Sequence, residues 1–349
     1  NHYYNGFQIL YLVTYPSPNH INSFGKGRHY GIHSNSTVDN YANITLNNAY
    51  ANSAGIYGNG VTNHSGAITL TGYGSNGSLH GIYSTGSTGT ATVSGGSVSV
   101  TADDNNNGVS AAGDAEVRSA SVTVTANDNN NGVRSTGGNV DIKWGGRVTV
   151  SNGDHNNGAV ASSATAKNVT VHQNASVTVG NGEHNNGIYS VAGNAEVSLG
   201  TVSVTGTSNN AVYAPAGTAS SDRGTINVSG SYSNGVYAPG GNVDVNGGTI
   251  TIGGGLYNNG INLVNSSGTN VIGANYRTTF NINHSNNIGI RVQESGTGGT
   301  KISNSTFNFN KFIVAKSFPY SFSVSIIISF SGRYLDLKLN FAIFLALFS

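Results

Sequence analysis

Residues 235–255 read GVYAPGGNVDVNGGTITIGGG. The stretch falls into three beats, GVYAP, GNVDVNG and GTITIGGG, each a short alternation of aliphatic and polar or small residues closed by Gly, Asn or Pro. A period of two marks a strand with one buried side, and the closing residues mark turns. Three strands and three corners in about 25 residues make one triangular coil. A coil of that size encloses no core of its own, so it is stable only when stacked on neighbours.

Working outward, the same opening recurs along the chain: a small residue, an aliphatic one, often Tyr, then another small residue. It reads GIHS at Gly31, GIYG at Gly55, GIYS at Gly81, GVSA at Gly108, GVRS at Gly132 and GAVA at Gly158. It continues as GIYS at Gly187, AVYA at Ala211, GVYA at Gly235, GINL at Gly260 and GIRV at Gly289. The steps are 24, 26, 27, 24, 26, 29, 24, 24, 25 and 29 residues. Chance does not hold such a period, and a fixed period of this size marks a solenoid. Gly and β-branched residues fill every segment, which excludes helical repeats. The expected fold is an all-β, right-handed parallel β-solenoid of about eleven coils. Residues 1–30 are an N-terminal cap or lead-in, residues 31–305 the repeats, and residues 306–349 a C-terminal segment of different character.

The third beat predicts the core. Its inward pairs are Val98/Val100, Val122/Val124, Val148/Val150, Val177/Val179, Val202/Val204, Ile226/Val228 and Ile250/Ile252. Stacked, they form an aliphatic column in which each buried side chain contributes roughly 1.5–3 kcal/mol. The corner pairs Asn106/Asn107, Asn130/Asn131, Asn156/Asn157 and Asn185/Asn186 are expected to stack as amide ladders, and Asn tolerates the left-handed backbone that tight corners use.

Composition bounds the function. Charged residues make up 8% of the chain, against about 25% in ordinary soluble domains, and the net charge is +1. The basic residues form no stripe, so nucleic acid is not an expected partner. The absence of Cys excludes disulfides and thiolate metal sites and suits export. The absence of Met, even at position 1, points to a piece of a longer chain. The tail alternates Ser with Phe322, Val324, Ile326, Ile328 and Phe330, then after Gly332-Arg333 alternates again through Leu335, Leu337, Leu339 and Phe341. A two-residue Gly-Arg loop fits a hairpin pairing Phe330 with Leu335 and Ile328 with Leu337. Three readings of this tail stand: a capping hairpin, a stub of a membrane β-barrel, or a non-native end from a truncated reading frame.

The Asn-Asn-aliphatic-Tyr corner followed by Gly-Gly-Thr-Ile-Thr-Ile strands, as at residues 209–214 and 247–252, resembles the passenger domains of bacterial autotransporters, the pertactin-like β-helix class. The resemblance covers residues 31–305. It implies export across two membranes and display at the bacterial cell surface, on the outer membrane or as a secreted product, often as an adhesin. The partners it implies are a host surface, a glycan or identical chains on neighbouring cells. The family's C-terminal translocator barrel is not recognisable here, because it needs many more strands than the tail offers.

Candidate chemistry lies on outward faces. The third beat exposes a hydroxyl array that includes Ser99, Thr123, Thr149, Thr178, Ser203 and Thr251, interrupted by Arg147 and Asn227. It is a candidate binding face, and regular Thr rows of this kind also resemble ice-binding surfaces. A second column, nine residues after the anchor, holds Asp141, Lys167, Glu196 and Asp244, with Glu116 at offset eight. Lys167 is expected between Asp141 and Glu196, and Glu116 against Asp141 repels unless a cation intervenes. Retaining glycosidases hold two carboxyls about 5–5.5 Å apart, so this pair is the candidate for a polysaccharide lyase or hydrolase. The corner pairs Asp154-His155 and Glu183-His184 carry zinc-ligand residue types, yet read more simply as exposed corners. No nucleophile, phosphate-loop or metalloprotease motif occurs. The expectation is a structural and adhesive protein with no enzymatic activity, no metal and no cofactor.

Overall fold

The computed structural model describes residues 28–309, except 74–76, 265–267, 285 and 294–298, together with the backbone of three short strands at 20–23, 324–326 and 339–341. The chain forms a parallel β-solenoid of about eleven coils, and no helix occurs among the described residues. Three sheets of 11, 11 and 12 strands run along it. We call them the anchor, second and third sheets, after the order in which each coil visits them. One coil consists of Asn131–Ser135, Val140–Lys143 and Arg147–Ser151, and the next of Asn157–Ala161, Val169–His172 and Ser176–Val179. Each strand pairs in parallel with its equivalent one coil on, at the usual spacing of about 4.8 Å.

The core is where the alternation placed it. Val98, Val122, Val148, Val177, Val202, Ile226 and Ile250 lie in one continuous register. They and their partners two residues on are at most 2% exposed. The anchor and second sheets complete the dry interior with columns such as Val109, Val133, Ala159, Ile188 and Val117, Ile142, Val171, Val197.

The anchor glycine has a steric cause. A β-carbon on Gly132 would stand 2.3 Å from Val148 Cγ1 and 2.5 Å from the Gly158 carbonyl oxygen, and Gly108 is confined in the same way by Val122 and Gly132. The anchor strand therefore crosses close over the third sheet's valine column and leaves little room for a side chain: ten of the eleven anchors are Gly, and the eleventh, Ala211, fits its single methyl wholly buried.

Two ladders hold the corners from the Gly108 anchor onward. The first asparagine of each pair is wholly buried: Asn106, Asn130, Asn156 and Asn185 each accept the equivalent backbone N–H of the preceding coil, at 2.7–3.0 Å. The second asparagine faces outward and donates its amide to its neighbour, through Asn131, Asn157, Asn186, Asn210, Asn234 and Asn259. The left-handed position is neither of these but the residue just before them. Asn105, Asn129, His155, His184, Ser208, Tyr232 and Tyr257 all have φ between 56 and 61°. Each such non-glycine residue costs about 1–2 kcal/mol. Backbone bonds between coils offset that cost, for example Asn129 N–H to the Asp154 carbonyl at 2.9 Å.

The solenoid's end strands reach beyond the repeat span read from the sequence. His20–Ser23 opens the third sheet by pairing with Asn43–Ala49, and Ser305–Phe309 closes it. In the tail, Val324–Ile326 and Leu339–Phe341 pair antiparallel, with Ile326 opposite Leu339. That register is the one a loop at Gly332-Arg333 implies, while Phe330, Leu335, Ile328 and Leu337 themselves lie outside the described residues.

Candidate binding faces

The third sheet presents the hydroxyl array in strict register. Thr45, Thr69, Ser99, Thr123, Thr149, Thr178, Ser203, Asn227, Thr251, Asn281 and Asn308 follow one another coil by coil. Asn227 donates to Ser203 Oγ at 3.1 Å, and Asn308 to Asn281 at 2.9 Å. Ser99, Thr123, Thr149 and Thr178 have no hydroxyl partner among the described residues, so their donors and acceptors face solvent. Ser99, Ser203 and Asn227 break the threonine row that an ice lattice would meet.

The second sheet corrects the charged column. Its register runs Glu116, Asp141, Thr170, Glu196, Ser220, Asp244. Thr170, not Lys167, separates Asp141 from Glu196. The coil from Gly158 to Gly187 carries its extra residues ahead of the strand Val169–His172, so counting from the anchor places Lys167 three positions too early. The intervening cation is Lys143, whose Nζ lies 3.0 Å from Glu116 and 2.9 Å from Asp141. Arg118 also meets Glu116 at 3.3 Å, and His172 Nε2 meets Asp141 at 2.6 Å. Burial alone would lower the Lys143 pKa; hydrogen bonds and charge from Asp141 and Glu116 more than reverse this and raise it. The Lys143 ammonium thus bridges the two carboxylates and offsets their mutual repulsion. Lys143→Met is expected to cost about 1–2 kcal/mol at neutral pH, the pair being half-buried. Urea melts of the parent and the variant read it directly.

Farther along the same face, burial and then Asp222 raise the carboxyls of Glu196 and Asp244; Asp244 adds to the shift on Glu196, and His172 opposes it.

The zinc-type corner is tied from coil to coil by ring stacking and a backbone cap. His155 and His184 stack with ring centroids 5.1 Å apart, while Asp154 Oδ1 accepts the Glu183 backbone N–H at 2.7 Å. Asp104 and Asp128 cap the coils before it in the same way. Among the described residues no group of three His, Cys, Asp or Glu side chains is placed to hold a metal.

The anchor sheet carries a face that reading by beats overlooked. Two residues after each anchor, the outward column runs His33, Tyr57, Tyr83, Ser110, Arg134, Val160, Tyr189, Tyr213, Tyr237, Asn262, Arg291. Tyr189, Tyr213 and Tyr237 stack at 4.9 and 5.4 Å, and Tyr57 meets Tyr83 edge-on at 5.5 Å. Where Ser110 and Arg134 interrupt the tyrosines, a cavity of about 550 Å³ opens between Tyr83 and Arg134. The signal was present in the sequence as Tyr at the second place after most anchors. The cavity, however, depends on a missing ring, which shows only when coils are stacked.

His80 lines this cavity and stacks on Tyr83 at 4.4 Å. Burial, and then the Arg134 guanidinium, push its pKa from 6.5 down to about 4. The folded state therefore holds a neutral imidazole where the unfolded chain takes up a proton near pH 6.5. The stabilisation is complete above pH 6.5 and is lost as pH falls toward 4, a loss of roughly 3 kcal/mol in all. His80→Asn, which extends the outward asparagine ladder by one rung, should remove that slope. Thermal melts of both proteins between pH 7 and pH 4 measure the difference.

No protein-family model, curated protein or solved structure matches this chain.

Proposed function

We propose that this chain is an exported surface passenger of the autotransporter type, a rod whose long β-faces adhere to a host surface, a glycan or identical rods on neighbouring cells. The observation that carries this reading is the open hydroxyl column on the third sheet, where Ser99, Thr123, Thr149 and Thr178 repeat in register with unspent hydrogen-bonding capacity. The rod is already ordered, so contacts spread along it need not overcome the cost of ordering a flexible partner. Sparse charge removes the long-range repulsion that would keep identical rods apart. The coil motif and the absence of Cys suit passage through an oxidising compartment.

The test is display of the chain on a bacterium that otherwise stays dispersed, alongside retention of purified protein on host cells and on glycan-coated surfaces. Cells should clump or adhere. Replacing Thr123, Thr149 and Thr178 together with Lys should reverse this by repulsion between rods, while the fold survives: the ammonium groups splay into solvent, and like charges on adjacent strands cost only about 0.2–1 kcal/mol a pair. Cells that remain dispersed, together with protein that binds neither surface, would refute the proposal.

A further inference from the structure

The cavity on the anchor sheet has the makings of a specific site, independent of the hydroxyl face. Its size, about 550 Å³, falls within the roughly 300–1,000 Å³ of small-molecule pockets. Tyr57 and Tyr83 give it aromatic walls, and Ser110, only 5% exposed, forms a recess where other coils carry a ring. Arg134 and Arg28 both line it, and no Asp or Glu does. Among the described residues neither arginine has a carboxylate partner; Arg134 makes one long contact, its Nε to Ser162 Oγ at 3.4 Å. His80 is uncharged at neutral pH and offers a ring nitrogen to a hydroxyl. Ser84, wholly buried at the cavity's edge, has a hydroxyl with no hydrogen-bond partner.

An arginine with no carboxylate partner selects an anion, and the planar guanidinium of Arg134 matches a carboxylate with two parallel bonds. Tyrosine walls favour a flat ring with apolar C–H faces, and the surrounding hydroxyl, amide and imidazole groups suit its hydroxyls. We infer that this cavity binds an acidic saccharide, with the carboxylate of one sugar on Arg134 and its ring seated beside Tyr83 in the space that Ser110 leaves. The site does not require the third-sheet face, so either can fail alone.

The experiment is calorimetric titration of the full chain with trigalacturonate and with a sialylated trisaccharide. At least one should bind saturably. For trigalacturonate, the fully methyl-esterified form keeps the rings but loses the charge, and should bind roughly tenfold to a hundredfold more weakly. Arg134→Gln should bring the acid form down to the ester's level. Ser110→Tyr installs the residue that Tyr57, Tyr83, Tyr189, Tyr213 and Tyr237 place in the same column, so it should fold with an unchanged melt and lose binding. The triple lysine variant of the third sheet should bind as the parent does. Silence with both saccharides, equal binding of inorganic phosphate, or a folded Ser110→Tyr protein that still binds would each overturn the assignment.

Discussion

Val148→Asp is expected to break the rod in the middle. Val148 is 1% exposed and stacks between Val122 and Val177 in the third sheet's inner column. A carboxylate there has no cation and no donor within the aliphatic column, and ionising it in such surroundings is strongly unfavourable. The cost should exceed about 4 kcal/mol, the range reserved for buried unpaired charge. In a solenoid each coil is held mainly by its two neighbours, so the loss falls first on the coils around residue 148. Brief proteolysis should then cut near that coil and leave fragments from both sides, while the parent stays intact. Val148→Ala, which removes two methyl groups and adds no charge, should cost about 2 kcal/mol. The control lies one residue away. Thr149→Asn faces outward, where Asn227 already occupies the same column, and should shift the melt by no more than about 0.5 kcal/mol. A Val148→Asp rod as resistant as the Thr149→Asn one would mean that the column is not a dry core.

That contrast shows why the fold was readable from residues alone. Inward and outward side chains on one strand obey opposite rules, and repetition over successive coils makes the difference visible as Val-Thr-Val or Ile-Thr-Ile. The anchor glycine was legible for a related reason: the backbone passes within contact distance of Val148 Cγ1, and the column admits Gly at every anchor but Ala211. Position along a strand survives translation from sequence to structure when the count starts inside that strand. It fails when the count crosses a corner of variable length. Lys167 was misplaced because the inserted residues sit between the anchor and second strands, whereas Lys143, within the second strand itself, reaches both Glu116 and Asp141. The left-handed corner residue was hidden for another reason. Its identity changes from Asn105 to His155 to Tyr232, since the constraint falls on the backbone and its coil-to-coil bonds rather than on a side chain.

The faces differ in the same sense. The hydroxyl array could be read directly, because most coils repeat it. The tyrosine-lined cavity could not, because it arises where one coil departs from the rule. A repeat protein builds its scaffold from what recurs, and departures from the rule, such as Ser110 and Arg134 in the tyrosine column, give one stretch of a face its own shape.

Asn156 tests the other half of the scaffold, the polar seam. It is wholly buried. Its Oδ1 accepts the Asn130 backbone N–H at 2.7 Å and the Asn130 amide at 3.1 Å, and its own amide donates to the Asn127 and Asn152 carbonyls. Asn156→Leu keeps the branched shape, though with bulkier methyls, and strips every partner from these groups. Each buried polar group left without a bond costs about 1–3 kcal/mol, so the total should reach about 3–5 kcal/mol. Asn156→Ser should cost far less, about 1 kcal/mol, because Ser233 already serves as a rung: its Oγ accepts the Asn209 N–H at 3.0 Å and donates to the Ser231 carbonyl at 3.0 Å. If hydrophobic burial alone held the corner, leucine would be the milder change and serine the harsher. The order of the two urea midpoints decides between these accounts. Amide exchange at Asn130 supplies the local reading, with protection expected to survive in the serine protein and to collapse in the leucine one.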